Sequence, residues 1–333
     1  MGKADVNVNI WLSEKKRFAN LFNGVIYGGR QVILPEDLVE VNSVSSVSVK
    51  NRAGKTKNMK RYRDIIMKWR NQATLVLLAN ESQGKVHYAM PHKVMLYDGM
   101  DYETQIRNNW KNFNDRRKQN KKAGLPLEHL TAGEYLSRFR KKDRLIPIIS
   151  LVFYYGSEPW DGPVDLYDMF QLEGTKEEKE ILEKYLPNYK INLVDAERLE
   201  DVEKFSDDLQ VILTMLRYRD SKEELTDYIN ENKKFFQNVD YETSQAMKAF
   251  LNMKQIPGEA EHKEEMVDMC KAIQEMYDDG VKDGIQQGVE QGRTELLKEQ
   301  IQRKLKKEKT PTQIAEELEE SVEVIEKIIK EMQ

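Results

Sequence analysis

Residues 145–155, LIPIISLVFYY, form the most strand-like segment of this 333-residue chain. A nearly unbroken apolar run of this length is typical of a central β-strand that is covered on both faces. Proline has no backbone N–H to donate, so Pro147 predicts that strand pairing begins only after it. The segment therefore predicts a sheet buried inside a layered fold.

Other segments extend this pattern on both sides of the central run. Further strands are predicted at 43–50, 73–79 (ATLVLLA), 85–90, which would pair with 73–79 as a hairpin, and 190–194. Helices are predicted at 10–24, where Gly24 ends the helix, and at 58–71. After Pro91, a helix is predicted from His92 to Tyr97, resuming beyond Gly99 to Trp110. This order of elements predicts one α/β domain.

Strand signals almost disappear after residue 195. Residues 203–236 and 242–253 are predicted to be helical, with a break near Pro257. The predicted organisation is an α/β domain over 1–195, a helical extension over 196–262 and a helical tail over 263–333.

Composition limits the class of protein. Charged residues make up 33% of the chain, mean hydropathy is −0.72, and no apolar run approaches the ~20 residues of a membrane helix. The N-terminus has no hydrophobic signal segment. One cysteine, Cys270, and four scattered histidines argue against disulfides and structural zinc. We therefore expect a cytoplasmic protein with no membrane partner.

Positive charge is concentrated in one part of the chain. Residues 107–144 contain twelve Lys and Arg against four acids, although the whole chain has a net charge of −4. Such a run is typical of a surface that meets a polyanion. The alternative interpretation is a set of solvated surface loops.

Two carboxylates define the candidate chemistry. Asp64 lies upstream of the 73–79 strand, and Glu81-Ser82-Gln83 follows that strand. Period 2 along a strand places Glu81 and Gln83 on one face. Divalent cations that activate water for phosphodiester hydrolysis are held by one or two carboxylates. Asp64 and Glu81 would hold the cation with the Ser82 carbonyl, and Gln83 would orient a water. Alone, this spacing is a weak motif.

Several sequence blocks occur in an order that adds specificity. They are FANLFN (18–23), Arg63-Asp64 with Lys68-Trp69, LLANESQ (77–83), MPHKVM (90–95), Tyr97-Asp98-Gly99 with 102–105, PIISLVFYYGSEPW (147–160), Leu166-Tyr167-Asp168 and YKINL (189–193). In this order, they resemble the recombination-promoting nuclease family, also called PD-(D/E)xK nuclease family transposases. The likeness spans residues 11–195 and the C-terminal tail.

The resemblance implies a restriction-endonuclease-like core, meaning a central mixed sheet flanked by helices, followed by a helical C-terminal section. It implies Mg²⁺-dependent DNA cleavage, with Mn²⁺ as an alternative ion. By position, Asp64, Glu81 and Gln83 take the catalytic places. The residues expected to contact DNA are Lys93, Arg116, Arg117, Lys121 and Lys122.

Two positions depart from the family pattern, and Gln83, which matches it, differs from the lysine of many metal sites of this kind. Asn20 replaces an acid, which removes an auxiliary metal ligand that Glu14 would have to replace. Lys93 replaces an arginine and loses the bidentate grip on phosphate. Gln83 stands where such sites often carry a lysine, and its amide has no positive charge. A DNA-binding protein with weak or no catalysis on the same fold is therefore the second hypothesis.

The C-terminal tail has its own pattern. Gly280, Gly284, Gly288 and Gly292 recur every four residues beside an apolar stripe. Glycine costs about 1 kcal/mol in a helix interior, so the repeat needs a reason. Self-association into a homodimer is one interpretation, and a weakly helical linker is the other. Residues 310–332 resemble two helices of a helix-turn-helix, which is too generic to assign nucleic-acid binding.

Remaining residues with chemical potential receive structural interpretations. His87 and His92 are expected in packing or surface roles. Tyr154, Tyr155 and Trp160 could stack on bases, but core packing at a strand end is the favoured interpretation.

Overall fold

The structure is a computed structural model of the chain. It describes residues 3–41, 44–50, 56–62, 65–70, 73–79, 86–253 and 266–332. The chain forms two compact units, Met1–Asp268 and Met269–Gln333.

The first unit combines strands and helices. Its strands are β1 (Leu38–Glu40), β2 (Val44–Lys50), β3 (Thr56–Tyr62), β4 (Ile65–Trp69), β5 (Ala73–Ala79), β6 (Ile148–Tyr154) and β7 (Asn192–Asp195). Its helices are α1 (Lys3–Ser13), α2 (Lys15–Tyr27), α3 (Met90–Lys122), α4 (Ala132–Ser137), α5 (Lys176–Glu183), α6 (Asp207–Arg217), α7 (Lys222–Glu231), α8 (Lys233–Phe236) and α9 (Tyr241–Phe250).

A five-stranded mixed sheet forms the centre of this unit. Its order is β1-β4-β5-β6-β7, with β1, β4 and β5 antiparallel and β5, β6 and β7 parallel. Strands β2 and β3 form a separate antiparallel pair. Parallel neighbours need a crossover, and α3 with α4 supplies the one between β5 and β6. The predicted α/β class with a central mixed sheet is confirmed.

Strand β6 is the central strand that the sequence predicts. It begins directly after Pro147, and Leu151 to Tyr154 are fully buried. The Pro147 carbonyl accepts a hydrogen bond from the Thr74 N–H at 2.8 Å, so proline uses its acceptor where it lacks a donor.

Helices cover both faces of the sheet. On one face, Met90 and Val94 of α3 pack with Val76 and Val152. Leu75 is one residue from Val76 and so points to the opposite face, and α1 contacts β5. Helix α1 in turn packs on α2 and α9. The result is a three-layer arrangement around one sheet.

The prediction of a helix at 58–71 is wrong. The described residues of this segment form β3 and β4. In β4, Ile65, Ile66, Met67 and Trp69 are all buried, because the strand lies between β1 and β5 and is covered on both faces. Pairing of β3 with β2 and burial of β4 between β1 and β5 prevailed over the local helical character of this segment.

The prediction of a strand at 85–90 that pairs with 73–79 as a hairpin is also wrong. Residues 86–89 are irregular and α3 begins at Met90. Both edges of β5 are already occupied by β4 and β6, which leaves no edge for a further strand. Pro91 does lie in the first turn of a helix, as predicted.

Helix boundaries differ from the expected ones at two places. The helix predicted at 10–24 does not end at Gly24. Helix α2 continues to Tyr27 and ends at Gly28, whose φ is 60°. Helix α3 continues through Gly99 to Lys122, 12 residues past the predicted end at Trp110. The lysines at 121 and 122 favour this longer helix, because positive charge stabilises the last turn.

Helices α6 to α9 belong to the same compact unit as the sheet. The second unit contains α10 (Met269–Leu305), α11 (Pro311–Leu318) and α12 (Val322–Glu331). Its core includes Ile301, Ile314 and Ile325. Within the described parts of the chain, no helix is long and apolar enough to cross a membrane.

Candidate functional site

One end of the sheet gathers the ends of four strands. Ile65, at the start of β4, pairs with Leu77 near the end of the antiparallel β5. Ala79, the last residue of β5, pairs with Phe153 of the parallel β6, and Tyr154 pairs with Asp195, the last residue of β7. We call this the carboxyl end of the sheet, since three parallel strands finish there.

The four predicted metal-site residues, Asp64, Glu81, Ser82 and Gln83, lie outside the described residues. The strands that lead to them are described. Asp64 directly precedes Ile65 in the chain, and Glu81 follows Ala79 by two residues. Both are therefore attached to neighbouring strands at the carboxyl end of the sheet. Within the described ranges, no group of three or more His, Cys, Asp and Glu could hold a metal.

Asn20 has a structural role that explains its departure from the family pattern. Its amide Nδ2 donates to the Ser206 carbonyl at 2.7 Å, and its Oδ1 accepts from the Ser206 N–H at 3.2 Å. The amide thus joins α2 to the N-cap of α6. An aspartate could make only the second of these bonds.

Glu14 also has a local partner. Its carboxylate accepts from the N–H groups of Lys16 and Arg17 at 3.1 and 3.0 Å, and so caps α2. This use of the carboxylate stabilises the helix start.

A buried ion pair lies just after the carboxyl end of β7. Glu197 and Arg219 form a salt bridge with side chains 9% and 6% exposed. Arg219 also donates to the Tyr155 carbonyl at 2.8 Å, so it fixes the chain leaving β6. Burial raises the pKa of Glu197, while Arg219 and Arg198 oppose that shift. In the sequence, the available signal for this pair is the cluster of acidic and basic residues directly after the last strand, which does not single out Glu197 or Arg219.

A polar face of α3 fixes the helix to β6. Asp98 is 2% exposed and accepts hydrogen bonds from the hydroxyls of Ser150, at 2.8 Å, and Tyr189. The Tyr102 hydroxyl accepts from the Ile148 N–H at 3.1 Å.

Gln105 completes this face. Its amide binds both backbone groups of Ile146, accepting at 2.7 Å and donating at 3.0 Å. Sequence analysis placed Asp98, Tyr102 and Gln105 in one block without assigning a role. Their spacing of four and then three is the available signal, because it puts all three on one face of a helix.

These contacts set the direction of α3. Asp98, Tyr102 and Gln105 lie beside Ser150, Ile148 and Ile146 respectively, so α3 runs antiparallel to β6. The helix starts near the carboxyl end of the sheet and continues beyond the opposite end.

The five predicted DNA-contacting residues are therefore separated. Lys93 lies in the first turns of α3, half-buried, with its ammonium 5.9 Å from the centre of the Tyr97 ring. Arg116, Arg117, Lys121 and Lys122 are exposed in the last turns. At 1.5 Å per residue, they lie roughly 35–44 Å from Lys93 along the helix. The five residues do not form one cluster.

The basic end of α3, which we define as residues 107–122, is only partly neutralised. Arg107 pairs with Glu103 and Lys118 with Asp115. Within the described ranges, the remaining cations of this segment have no acidic partner: Lys111, Arg116, Arg117, Lys121 and Lys122. This surface therefore carries net positive charge.

A buried cation holds the following segment against α3. Arg140 lies 4.5 Å above the Phe113 ring and pairs with Asp143 at 2.6 Å, and both charged side chains are less than 10% exposed. Arg140 also reaches Glu128 at 3.3 Å. The chain returning from α3 to β6 is thus fixed to the basic end of the helix.

The aromatic residues at the end of β6 pack in the core, which is the interpretation that the sequence favoured over base stacking. Tyr154 is fully buried and Tyr155 is 5% exposed. Tyr154 makes an edge contact with Trp160 at 5.3 Å, and Tyr155 does so with Phe250 at 5.4 Å. They are not free to stack on bases.

The last two helices carry the opposite charge to the basic end of α3. Residues 310–333 contain seven acids and two lysines. Such a surface repels phosphate, so the likeness of α11 and α12 to a helix-turn-helix does not extend to its charge.

Comparison with known proteins identifies a family for part of the chain. Residues 131–247 match the family described as "putative transposase, YhgA-like", a PD-(D/E)xK family of the recombination-promoting nuclease type. The match runs from the N-cap of α4 through β6 and β7 into α9. It confirms the family resemblance. Neither the curated proteins nor the solved structures contain a match.

Proposed function

We propose that this protein is a metal-dependent DNA endonuclease of the recombination-promoting nuclease and transposase type. The observation that carries the proposal is the register of β4 and β5: Ile65, which follows Asp64 in the chain, pairs with Leu77, which comes four residues before Glu81. The family match and the ordered sequence blocks support the same assignment.

The register also limits the separation of the two carboxylates. Asp64 precedes Ile65, which lies opposite Leu77, and Glu81 is four residues beyond Leu77. Four extended residues span at most about 14 Å, and the step from Asp64 to Ile65 and the spacing of paired strands add about 4 Å and about 5 Å. This tether lets both side chains bind one cation provided that the chain after Ala79 turns towards β4.

The donor set fits a hard divalent cation. Two carboxylates and the Ser82 carbonyl are oxygen ligands of the kind that Mg²⁺ prefers, with Mn²⁺ as a substitute. When bound, such an ion polarises phosphate and lowers the pKa of a bound water. Gln83 would position that water by hydrogen bonding. Because Gln83 carries no charge, it would stabilise the developing negative charge less than a lysine does.

The direction of α3 suggests how DNA would lie on the protein. Lys93 is near the carboxyl end of the sheet, and Arg116, in the last turns of the basic end of α3, lies roughly 35 Å further along. Duplex DNA rises 3.4 Å per base pair, so this distance equals about ten base pairs, or one helical turn. We propose that the basic end of α3 binds backbone phosphates about one turn from the cut.

A DNA-binding protein with little catalysis is the second candidate. Asn20 favours it, because its side chain is committed to Ser206 and supplies no acid to the site. Gln83 also favours it, because its uncharged amide would stabilise the developing negative charge less than a lysine does.

Self-association through α10 remains part of the proposal. Val281, Ile285 and Val289 are 53–67% exposed, and a Cβ added to any of the four repeated glycines would meet no neighbouring atom. A second copy could therefore approach this face closely. A dimer would bring two active sites to the two strands of a duplex.

A plasmid-nicking assay tests the proposed function. Wild type, Asp64→Ala and Glu81→Ala are compared in Mg²⁺, Mn²⁺ and EDTA, with Glu180→Ala as a control for loss of an exposed acid on α5. We expect metal-dependent nicking by wild type and Glu180→Ala, and a loss of at least about 100-fold in the other two variants. Nicking that persists in both would exclude this site. Binding without nicking by wild type would favour the second candidate.

A further inference from the structure

We infer that the surface formed by α4 and the basic end of α3 binds unpaired DNA strands by stacking bases on Tyr135. This inference deepens the proposed function and rests on it only in taking DNA as the polyanion. It concerns a surface at the far end of α3 from the proposed cleavage site.

The first observation is a group of exposed apolar side chains. Tyr135 is 69% exposed and Leu136 is 86% exposed, while Leu125 and Leu127, in the segment before α4, are 54% and 41% exposed. Single exposed apolar residues are ordinary, but several in one short segment are typical of a binding surface.

The second observation is the environment of the Tyr135 ring. Its centre lies 6.2 Å from that of Trp110, and the two rings are inclined by 71°. The contact is of the edge-to-face type that aromatic pairs prefer, and with 69% of Tyr135 exposed most of its side chain remains accessible. Trp110 packs in turn on Phe113, which is 4% exposed. Tyr135 is therefore backed by the core and open to solvent.

The third observation is the shape of the surface. A cavity of about 400 Å³ is lined by Trp110, Lys111, Asn114, Ser137 and Arg138 among others. A second cavity of about 390 Å³ is lined by Arg117, Leu127 and Tyr135 among others. Tyr135 itself lines the second cavity, and Trp110, whose ring contacts that of Tyr135, lines the first.

The fourth observation is charge. Lys111 and Arg138 border the first cavity beside the ion pairs Arg107–Glu103 and Lys118–Asp115. Arg117 borders the second beside Glu128, which pairs with Arg140 and Lys142. Within the described ranges, none of these three has an acidic partner. They are available to the phosphate groups of a bound strand. In a duplex the bases are paired and stacked on one another, and only phosphates, sugars and groove edges are exposed. A duplex base therefore cannot stack on the Tyr135 ring. Alternating aromatic and cationic groups are typical of single-strand binding.

The surface is held in place by the fold. Thr131 and Glu134 form a reciprocal cap at the start of α4, and Glu134 also accepts from the Lys141 N–H at 3.0 Å. The Arg140–Asp143 pair fixes the chain that follows. Tyr135 is thus presented on a rigid turn, which reduces the entropy lost on binding.

The test measures binding to a fluorescein-labelled 20-nucleotide oligo-dT and to a duplex of equal length by fluorescence anisotropy. The full-length protein is used in EDTA, so binding is separated from cleavage. One stacked base contributes about 1–3 kcal/mol, so Tyr135→Ala should weaken oligo-dT binding by about 5- to 150-fold. Its duplex affinity should change less than about twofold, and Tyr135→Phe should retain oligo-dT binding.

Tyr185→Ala is the matched control, since Tyr185 is 83% exposed on the same unit but outside this surface. It should bind both DNAs as wild type does. Oligo-dT should also quench the fluorescence of Trp110, and Trp110→Phe should remove that part of the signal. The inference is overturned if Tyr135→Ala binds oligo-dT like Tyr185→Ala, or if it loses oligo-dT and duplex binding equally. Asp64→Ala should keep oligo-dT binding, so failure of the nuclease proposal gives a different result.

Discussion

The carboxylate of Asp98 accepts a hydrogen bond from the hydroxyl of Ser150 across the interface between α3 and β6. Tyr189, which lies just before β7, donates to the other oxygen of the same carboxylate. One buried acid on the helix therefore fixes three elements of the α/β unit, and it determines where the basic end of α3 lies.

Replacing Asp98 should destabilise the protein strongly. Asp98→Ala leaves the Ser150 and Tyr189 hydroxyls without their acceptor, and we expect a loss of about 2–4 kcal/mol in the free energy of unfolding. Urea denaturation followed by circular dichroism measures it. Asp115→Ala, an exposed acid on the same helix, should change the stability by less than about 0.5 kcal/mol. Equal effects of the two substitutions would contradict the role assigned to Asp98.

Restoring the family acid at position 20 should not restore a metal ligand. In Asn20→Asp, a buried carboxylate would face the Ser206 carbonyl to which the amide now donates. We expect a loss of about 1–3 kcal/mol in stability and no gain in nicking. Thermal unfolding and the nicking assay measure the two effects. Enhanced nicking by a fully stable variant would show that position 20 belongs to the metal site.

Two glycine substitutions should have opposite signs. In Gly24→Ala, the new Cβ would lie 2.3 Å from the Phe205 ring, so α2 or the ring must move and stability should fall by about 1–3 kcal/mol. In Gly99→Ala, the new Cβ meets nothing within 4 Å inside α3, and stability should rise by about 0.5–1 kcal/mol. Paired denaturation curves measure both, and a rise for Gly24→Ala would show that the packing at Phe205 is misassigned.

The second unit should contain an acid-sensitive contact. Lys304 and Lys309 hold the pKa of Glu317 at about 2, below its ordinary value of 4.5. A lowered folded-state pKa means that the carboxylate stabilises the fold above about pH 4.5 and loses this effect as the pH falls towards 2.

Glu317→Gln should therefore be less stable than wild type at pH 6, and the difference should shrink between pH 4.5 and 3. Thermal unfolding across this range measures it. Because Glu317 is exposed, 0.5 M salt should reduce the difference at pH 6. A difference that is constant with pH would exclude this ionic role.

The basic end of α3 should control duplex affinity without controlling the chemical step. Lys121→Ala/Lys122→Ala should weaken binding to a 30-base-pair duplex and lower the dependence of log affinity on log salt by about 2. Cleavage at saturating DNA should be unchanged. Lys176→Ala, an exposed lysine on α5, is the control for charge alone. An unchanged salt slope in the double variant would place the DNA elsewhere.

The local sequence was enough to predict those strands whose apolar pattern alone identifies them. The run at 73–79 and the start of β6 after Pro147 follow directly from apolar runs and proline chemistry. Segment 58–71 failed because its assignment depends on β1 and β5, which lie on either side of β4 only in the folded sheet. Burial of a strand between two neighbours depends on the folded sheet and can override local helical character.

The candidate site shows the same division. Asp64 and Glu81 were chosen from spacing and family resemblance, and the structure describes the strands to which they are attached. The Asn20–Ser206 and Glu197–Arg219 contacts could not be predicted, because each joins residues that are far apart in sequence or that gain their partner only through burial. Exposure of Tyr135 is likewise a property of the folded surface.

The parallel pairing of β5 with β6 has a consequence for how the chain acquires its structure. Residues 80–147, including all of α3 and α4, separate these two strands. The entropy lost in closing so long a loop must be overcome before the contacts between β5 and β6 can stabilise the fold, and this slows folding. During synthesis, one edge of β5 has no partner until β6 has left the ribosome, which takes several seconds at 5–20 residues per second. The nascent chain should be most prone to aggregate, and most dependent on chaperones, in that interval.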